Sequence, residues 1–395
     1  MYSPMRALSC VFLPLVAIMI ASVKGDSNPD LIQVPGGALV PASSVYTIPE
    51  NAHIFALGNE TRVVDADGNV LHSIVSSSAS SDSTVTPRDT ALEPFNGWVT
   101  YAYWDNSNGP SIISAFSATW VVPPLPATDH GQTLYLFNCV EGPYILQPVL
   151  RYYAGSWTVA SWWGPGANGA YFKSSDVDVS VGQTLTGVIA LTGDSNSVYN
   201  YTSSFQGLTG SSIGTTSSIP YVWAAVTLET YATDPYGSDY PVGTTTWTNI
   251  NTQLLSGATP SVTWTTQTNW PQGDLSTTVT TQGATKAVVV THYPQPVELM
   301  KYCTDVQFGG SCETTYYPSA ALVPVESVDG IECFANFTSP YAASISSAEG
   351  LTNGFTCFLY PELDCQGTRL VISGEVPDFI TIGWNDEALS YSCAQ

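Results

Sequence analysis

The stretch Ala224-Ala225-Val226-Thr227-Leu228-Glu229-Thr230-Tyr231 alternates with a period of two. Val226 and Leu228 fall on one side; Ala225, Thr227, Glu229 and Tyr231 fall on the other. That period is a strand, with one apolar face and one face that carries a carboxylate and a phenol. Working outward, residues 95–295 are dense in Thr, Val, Tyr and Trp, with turn residues about every 8 to 12 positions. Strand-like runs include Trp98–Trp104, Ile112–Val122, Tyr144–Tyr153, Thr184–Thr192, Tyr221–Tyr231 and Ala287–His292. No segment carries a 3.6-residue apolar stripe, so this region predicts a large β-sandwich or barrel.

The flanks divide the chain further. Arg6, an apolar run from Ala7 to Val23 and Lys24-Gly25 make residues 1–25 a signal peptide, and a secreted, extracellular protein follows. No later stretch is long and apolar enough to span a membrane. Residues 26–94 hold a strand-like hairpin with a turn at Asp67-Gly68-Asn69. They also hold a Ser-rich linker over 76–89, and their position is that of a propeptide. Residues 296–395 concentrate Cys303, Cys312, Cys333, Cys357, Cys365 and Cys393, a disulfide-braced small domain whose pairing the spacing leaves open. Asn59, Asn200 and Asn336 each open a glycosylation sequon.

Charge excludes several functions. The 395 residues carry 9 Lys+Arg against 32 Asp+Glu, a net charge of −23. Nucleic-acid binding needs clustered bases and is excluded. With carboxylates protonated, so few bases build little self-repulsion, which suits an acidic medium. The sequence has no G-x-S-x-G elbow, no H-E-x-x-H, no P-loop and no dinucleotide fingerprint. A lone Glu or Gln on a strand is ordinarily a solvated residue.

Residues 95–295 resemble the glutamic peptidases, or eqolisins, concanavalin-A-like sandwiches of two antiparallel sheets. Phe95-Asn96-Gly97-Trp98 resembles the family's opening segment, and Ser117–Pro123 its Val-Pro strand. Phe137 to Gly142 lies where the family has a Trp-x-Gly-x-Asp-Gly loop. Ile145-Leu146-Gln147 matches the catalytic-glutamine segment. Trp162, Trp163 and Pro165 resemble the aromatic wall, and Ala224–Tyr231 the strand of the catalytic glutamate. The resemblance implies a secreted acid endopeptidase that needs no catalytic cofactor. Glu229 is then the general base and Gln147 the oxyanion donor, an amide that does not titrate. Phe137, Glu141, Trp162, Trp163 and Tyr231 would line the polypeptide substrate. The departures are that the strand's first Glu is Ala225, the loop Trp is Phe137, the loop Asp is Glu141, and a cleft Glu is Trp162. The alternative is a non-catalytic, lectin-like protein that binds a glycan or a cell-wall surface on the same sandwich; in either case a monomer is expected.

Residues 296–395 resemble a βγ-crystallin domain, a double Greek key with Phe308-Gly309-Gly310 and Cys365-Gln366-Gly367 at the motif turns. That resemblance implies Ca2+ at Asn385, Asp386 and Ser390, with Leu389 standing where an oxygen ligand belongs.

Overall fold

The computed structural model describes residues 31–36, 38–76, 97–109, 111–129, 131–233, 237–269, 275–317, 325–328, 331–333, 335–351 and 355–394. The expected signal peptide, residues 1–25, and most of the expected Ser-rich linker lie outside these residues. Every regular element among them is a β-strand or a single 3-10 turn, and no helix is long and apolar enough to cross a membrane.

Two large sheets form the main body. The first has nine strands. In spatial order they are Thr265–Thr268, Gly97–Asp105, Trp223–Tyr231, Thr133–Glu141, Ile145–Tyr153, Ser156–Gly164, Tyr171–Lys173 and Val45–Thr47, with Val177–Asp178 paired onto Ser156–Gly164. The second has ten: Ser276–Thr281, Ala287–His292, Thr244–Leu254, Ile113–Val121, Thr184–Ser195, Val198–Phe205, Ile213–Ser217, His53–Leu57, Glu60–Val64 and Val70–Val75. Their inner faces share one core. Leu134, Leu136, Leu146, Leu150, Val226 and Leu228 of the first sheet bury against Phe116, Trp120, Leu185, Ile189 and Trp247 of the second. This is a two-sheet β-sandwich, closed by apolar burial on facing sides of alternating strands.

Pairing is antiparallel throughout, apart from two joins. Val45–Thr47 adds parallel to Tyr171–Lys173, and His53–Leu57 adds parallel to Ile213–Ser217. The segment before the linker therefore extends both sheets, and its Ile48, Ala52, Ile54, Ala56 and Val63 lie in the shared core. The turn expected at Asp67-Gly68-Asn69 joins Glu60–Val64 to Val70–Val75, and a second tight turn joins His53–Leu57 to Glu60–Val64. Asp65 holds the first by accepting the backbone N–H groups of Asp67 and Asn69, an Asx turn.

Beside a two-stranded ribbon, Val325–Val328 with Ile331–Cys333, residues 297–394 form two four-stranded sheets. Each takes one strand from the other half: Glu375–Val376 completes the sheet of Val297–Asp305, and Ala335–Asn336 that of Ser390–Ala394. This exchange makes a double Greek key. The repeat is visible in the backbone. Gln307 and Phe308 have φ 56° and 58°, as do Asp364 and Cys365. Ser347 and Ser390 hold the two turns alike. Each hydroxyl accepts a turn N–H, from Phe308 or Cys365, and donates to a turn carbonyl, of Asp305 or Glu362. The bridges are Cys303–Cys312, Cys333–Cys365 and Cys357–Cys393.

Candidate functional site

The strands at the centre of the first sheet are buried on both faces. Residues 133–140 are all buried, as are 224–231. An antiparallel sheet with one core side ordinarily leaves its other face to solvent, so something must cover the outer face. The register gives that face rows of side chains. Tyr103, Ala225, Cys139, Gln147 and Trp162 form one row across five strands. Two rows on, Trp98, Glu229, Tyr135 and Arg151 form another. Gln147 and Glu229 thus share the outer face, with one strand, Thr133–Glu141, between them and an offset of four residues along it.

Aromatic side chains lean together along this face. Trp98 stands opposite Glu229 and Trp223 opposite Asp105, about 20 Å apart along a flat strand, yet their ring centroids are 5.8 Å apart.

The cover is a hairpin of the chain itself, Leu31–Val34 with Ala38–Pro41. Val34 is fully buried in one apolar cluster with Trp98, Phe137, Val149, Trp162 and Ala225, and Ile32 and Val40 pack against that cluster. At its turn Gly36 has φ +97°, a conformation that L side chains rarely adopt. That turn aims the Gly36 N–H at Glu229, where it lies 2.9 Å from both carboxylate oxygens. The Tyr231 hydroxyl donates to the same carboxylate. The Tyr135 hydroxyl donates to the Gln33 carbonyl at 3.0 Å. A side chain on Gly36 would meet Ile145, two residues before Gln147. Burying a carboxylate is costly unless donors replace its water, and the hairpin supplies one of them.

The other expected residues divide by strand parity. Phe137 is on the outer floor, fully buried. Trp162 stands opposite Gln147, with the Lys173 ammonium 5.4 Å from its ring centre. Glu141 ends its strand half-buried, opposite Trp223. Trp163, expected on the aromatic wall, takes the opposite side because successive residues alternate. It lies in the inter-sheet core and donates to the Tyr221 hydroxyl at 3.1 Å. Gln147 is fully buried, and neither amide atom has a hydrogen-bond partner among the described residues. Burial, with Tyr103 and Glu141 nearby, raises the Tyr101 phenol to about 12. Burial also pushes the Cys139 thiol up, and Glu141 adds to this. This disfavours the thiolate of Cys139, the neighbour of Gln147, and so its use as a nucleophile.

In the C-terminal block the Ser390 hydroxyl is used in its turn, while the Asn385 amide nitrogen donates to Asp386. The Asn385 amide oxygen is buried without a partner among the described residues, which leaves it and Asp386 as oxygen donors for a cation, while the Ser390 hydroxyl is engaged in its turn. Asn59 is exposed, Asn200 accepts from Thr216, and Asn336 donates to Asp364.

Sequence reasoning missed the hairpin. Its signal was Pro35-Gly36-Gly37 between two short apolar runs. It also missed Tyr135, Tyr101, Tyr103 and Trp223, whose shared face shows only in the register.

No protein-family profile matches the chain, and no curated protein does. Among solved structures, scytalido-glutamic peptidase with a peptide-based transition-state analogue is similar at 17% identity and TM-score 0.36. The match covers 50% of this chain and 98% of that one. The same peptidase with a transition-state analogue inhibitor gives 16% identity and TM-score 0.34. A mutant βγ-crystallin domain from Clostridium beijerinckii is similar at 15% identity and TM-score 0.18, over 24% of this chain and 95% of that one.

Proposed function

We propose that the outer face of the nine-stranded sheet binds an extended polypeptide. One observation carries this: the face holds such a segment, residues 32–36, through its backbone. Glu229 takes an N–H and Tyr135 gives a hydrogen to a C=O, while Val34 fills the apolar floor. Backbone recognition with alternate side chains in pockets is how β-strand addition works. The hairpin is then an internal competitor for the site.

A second reading, a secreted acid endopeptidase of the glutamic type, is favoured by the unpartnered Gln147 amide. Such an orphan donor suits an oxyanion that forms only during reaction. Glu229 would take the proton of a water attacking the peptide carbonyl and return it to the leaving amine. Both need the Gly36 turn withdrawn and one water within reach of both side chains. Calcium at Asn385 and Asp386 is a separate proposal, tested by thermal stability with Ca2+ against chelator.

The test compares the whole secreted protein with Gly36→Pro, Glu229→Gln and Gln147→Ala. Pro removes the N–H and cannot adopt the Gly36 conformation. A hydrogen bond to a charged group contributes about 1.5–3 kcal/mol, so Gly36→Pro binds an unstructured peptide roughly tenfold tighter, or more. Equal peptide affinity in wild type and Gly36→Pro shows that the hairpin does not compete for the face, and no peptide binding to either protein defeats the binding reading. Cleavage of an unfolded protein between pH 2 and 7, lost in both Glu229→Gln and Gln147→Ala, establishes the peptidase. Binding without cleavage at any of these pH values leaves a peptide-binding protein.

A further inference from the structure

Beside the hairpin, the outer face carries an aromatic array that neither the hairpin's backbone contacts nor the Gln147–Glu229 chemistry uses. Tyr103 and Trp223 stack with centroids 5.2 Å apart and planes 18° from parallel. Trp98 meets Tyr101 edge-on at 5.2 Å. Tyr101, Tyr103 and Trp223 are each half-buried, so the rings keep some surface open to solvent. Two carboxylates flank them. Trp223 lies between Asp105 on one neighbouring strand and Glu141 on the other, all three on the outer face. Glu141 is close enough to act electrostatically on Tyr101.

Aromatic faces attract cations through the ring quadrupole, and an adjacent carboxylate strengthens the attraction. A neutral apolar ring would gain nothing from the two acids; a hydroxyl-rich ligand would donate hydrogen bonds to them, and the neutral-oligosaccharide arm below distinguishes it from a cation. We propose that Trp98, Tyr101, Tyr103 and Trp223, with Asp105 and Glu141, form a subsite for a cationic side chain, lysine or arginine, of the polypeptide on this face. The polypeptide part of this assignment rests on the proposed function; the cation part does not. The chain has only 9 Lys+Arg, and its own hairpin brings none to the face: residues 31–41 contain no basic residue. A basic external peptide therefore has a contact that the internal competitor lacks.

Two measurements separate the parts. The first titrates the full chain with choline and with its neutral isostere 3,3-dimethylbutan-1-ol, followed by tryptophan fluorescence. Choline binds on the order of threefold to tenfold tighter, the size of a partly exposed cation–π contact. The preference disappears in Trp223→Ala and in Glu141→Gln, the second variant guarding against misfolding of the first. Equal binding of the two probes, or binding of a neutral oligosaccharide in preference to choline, overturns the subsite. The second measurement uses Gly36→Pro and two peptides that differ only by lysine against acetyl-lysine. The lysine peptide binds several-fold tighter. If both bind equally, the cation subsite fails and the polypeptide face stands. If neither binds while choline is still preferred, the cation subsite stands and the polypeptide reading fails.

Discussion

Two amides on adjacent strands, Asn138 and Gln147, are both fully buried, and both lack hydrogen-bond partners among the described residues. They lie on opposite faces of the sheet. Asn138 points into the sandwich, where Gly187 of the second sheet has room only for a hydrogen: a side chain there would strike the Asn138 amide oxygen and Pro148. No ligand reaches it without parting the sheets. Gln147 lies on the outer face, in a strand that the hairpin turn touches at Ile145. Equal burial therefore means different things. On the inner face it comes from sheet packing across strands distant in sequence. On the outer face it comes with a short hairpin held by hydrogen bonds such as those of the Gly36 N–H to Glu229 and of the Tyr135 hydroxyl to the Gln33 carbonyl, and by apolar contacts.

That difference can be broken in measurable steps. The largest effect belongs to the inner face. Leu136→Ala, in the fully buried inter-sheet core, lowers unfolding stability by about 2–5 kcal/mol, read as a urea midpoint shift at constant slope. A loss below 1 kcal/mol would mean that the sheets are not packed there. The next belongs to the cover. Gly36→Pro loses about 1.5–3 kcal/mol locally and leaves the global transition near wild type. Hydrogen exchange checks it: amides of 31–41 speed up, while those of 133–141 at the sheet centre keep most of their protection. Uniform acceleration would show the hairpin to be integral to the fold.

The smallest effect is set by pH, at the edge where the first segment joins the second sheet. His53 pairs with Gly214, and its ring shares a hydrogen bond with Thr216 at 2.6 Å. Burial lowers its pKa, and a backbone hydrogen bond with Thr215 opposes this in part. The folded pKa lies below the unfolded one. The contribution is therefore fully present above about pH 6.5 and is lost as pH falls through the folded value. His53→Gln, which cannot titrate, shows a flatter Tm between pH 7 and pH 5. Unchanged pH dependence would mean that His53 charges freely in place.

The sequence alone determined the class of the fold and the parity of its chemistry. A period of two over Ala224–Tyr231 is local: once the strand forms, Glu229 and Tyr231 must share a face opposite Leu228. The same rule separates Trp162 from Trp163, although their side-by-side aromatic character suggested a common wall. The duplicated cysteine block was legible because its turns repeat in the chain.

Only the tertiary structure decided what each face meets. Nothing within 31–41 says that its turn lies on Glu229, 193 positions away. Nor does any local pattern show Gln147 two rows from Glu229, or Asp105 and Glu141 on either side of Trp223. Those relations depend on strand order and register, which are set by which strands pair across long loops. Local periodicity fixes only the direction in which each side chain points.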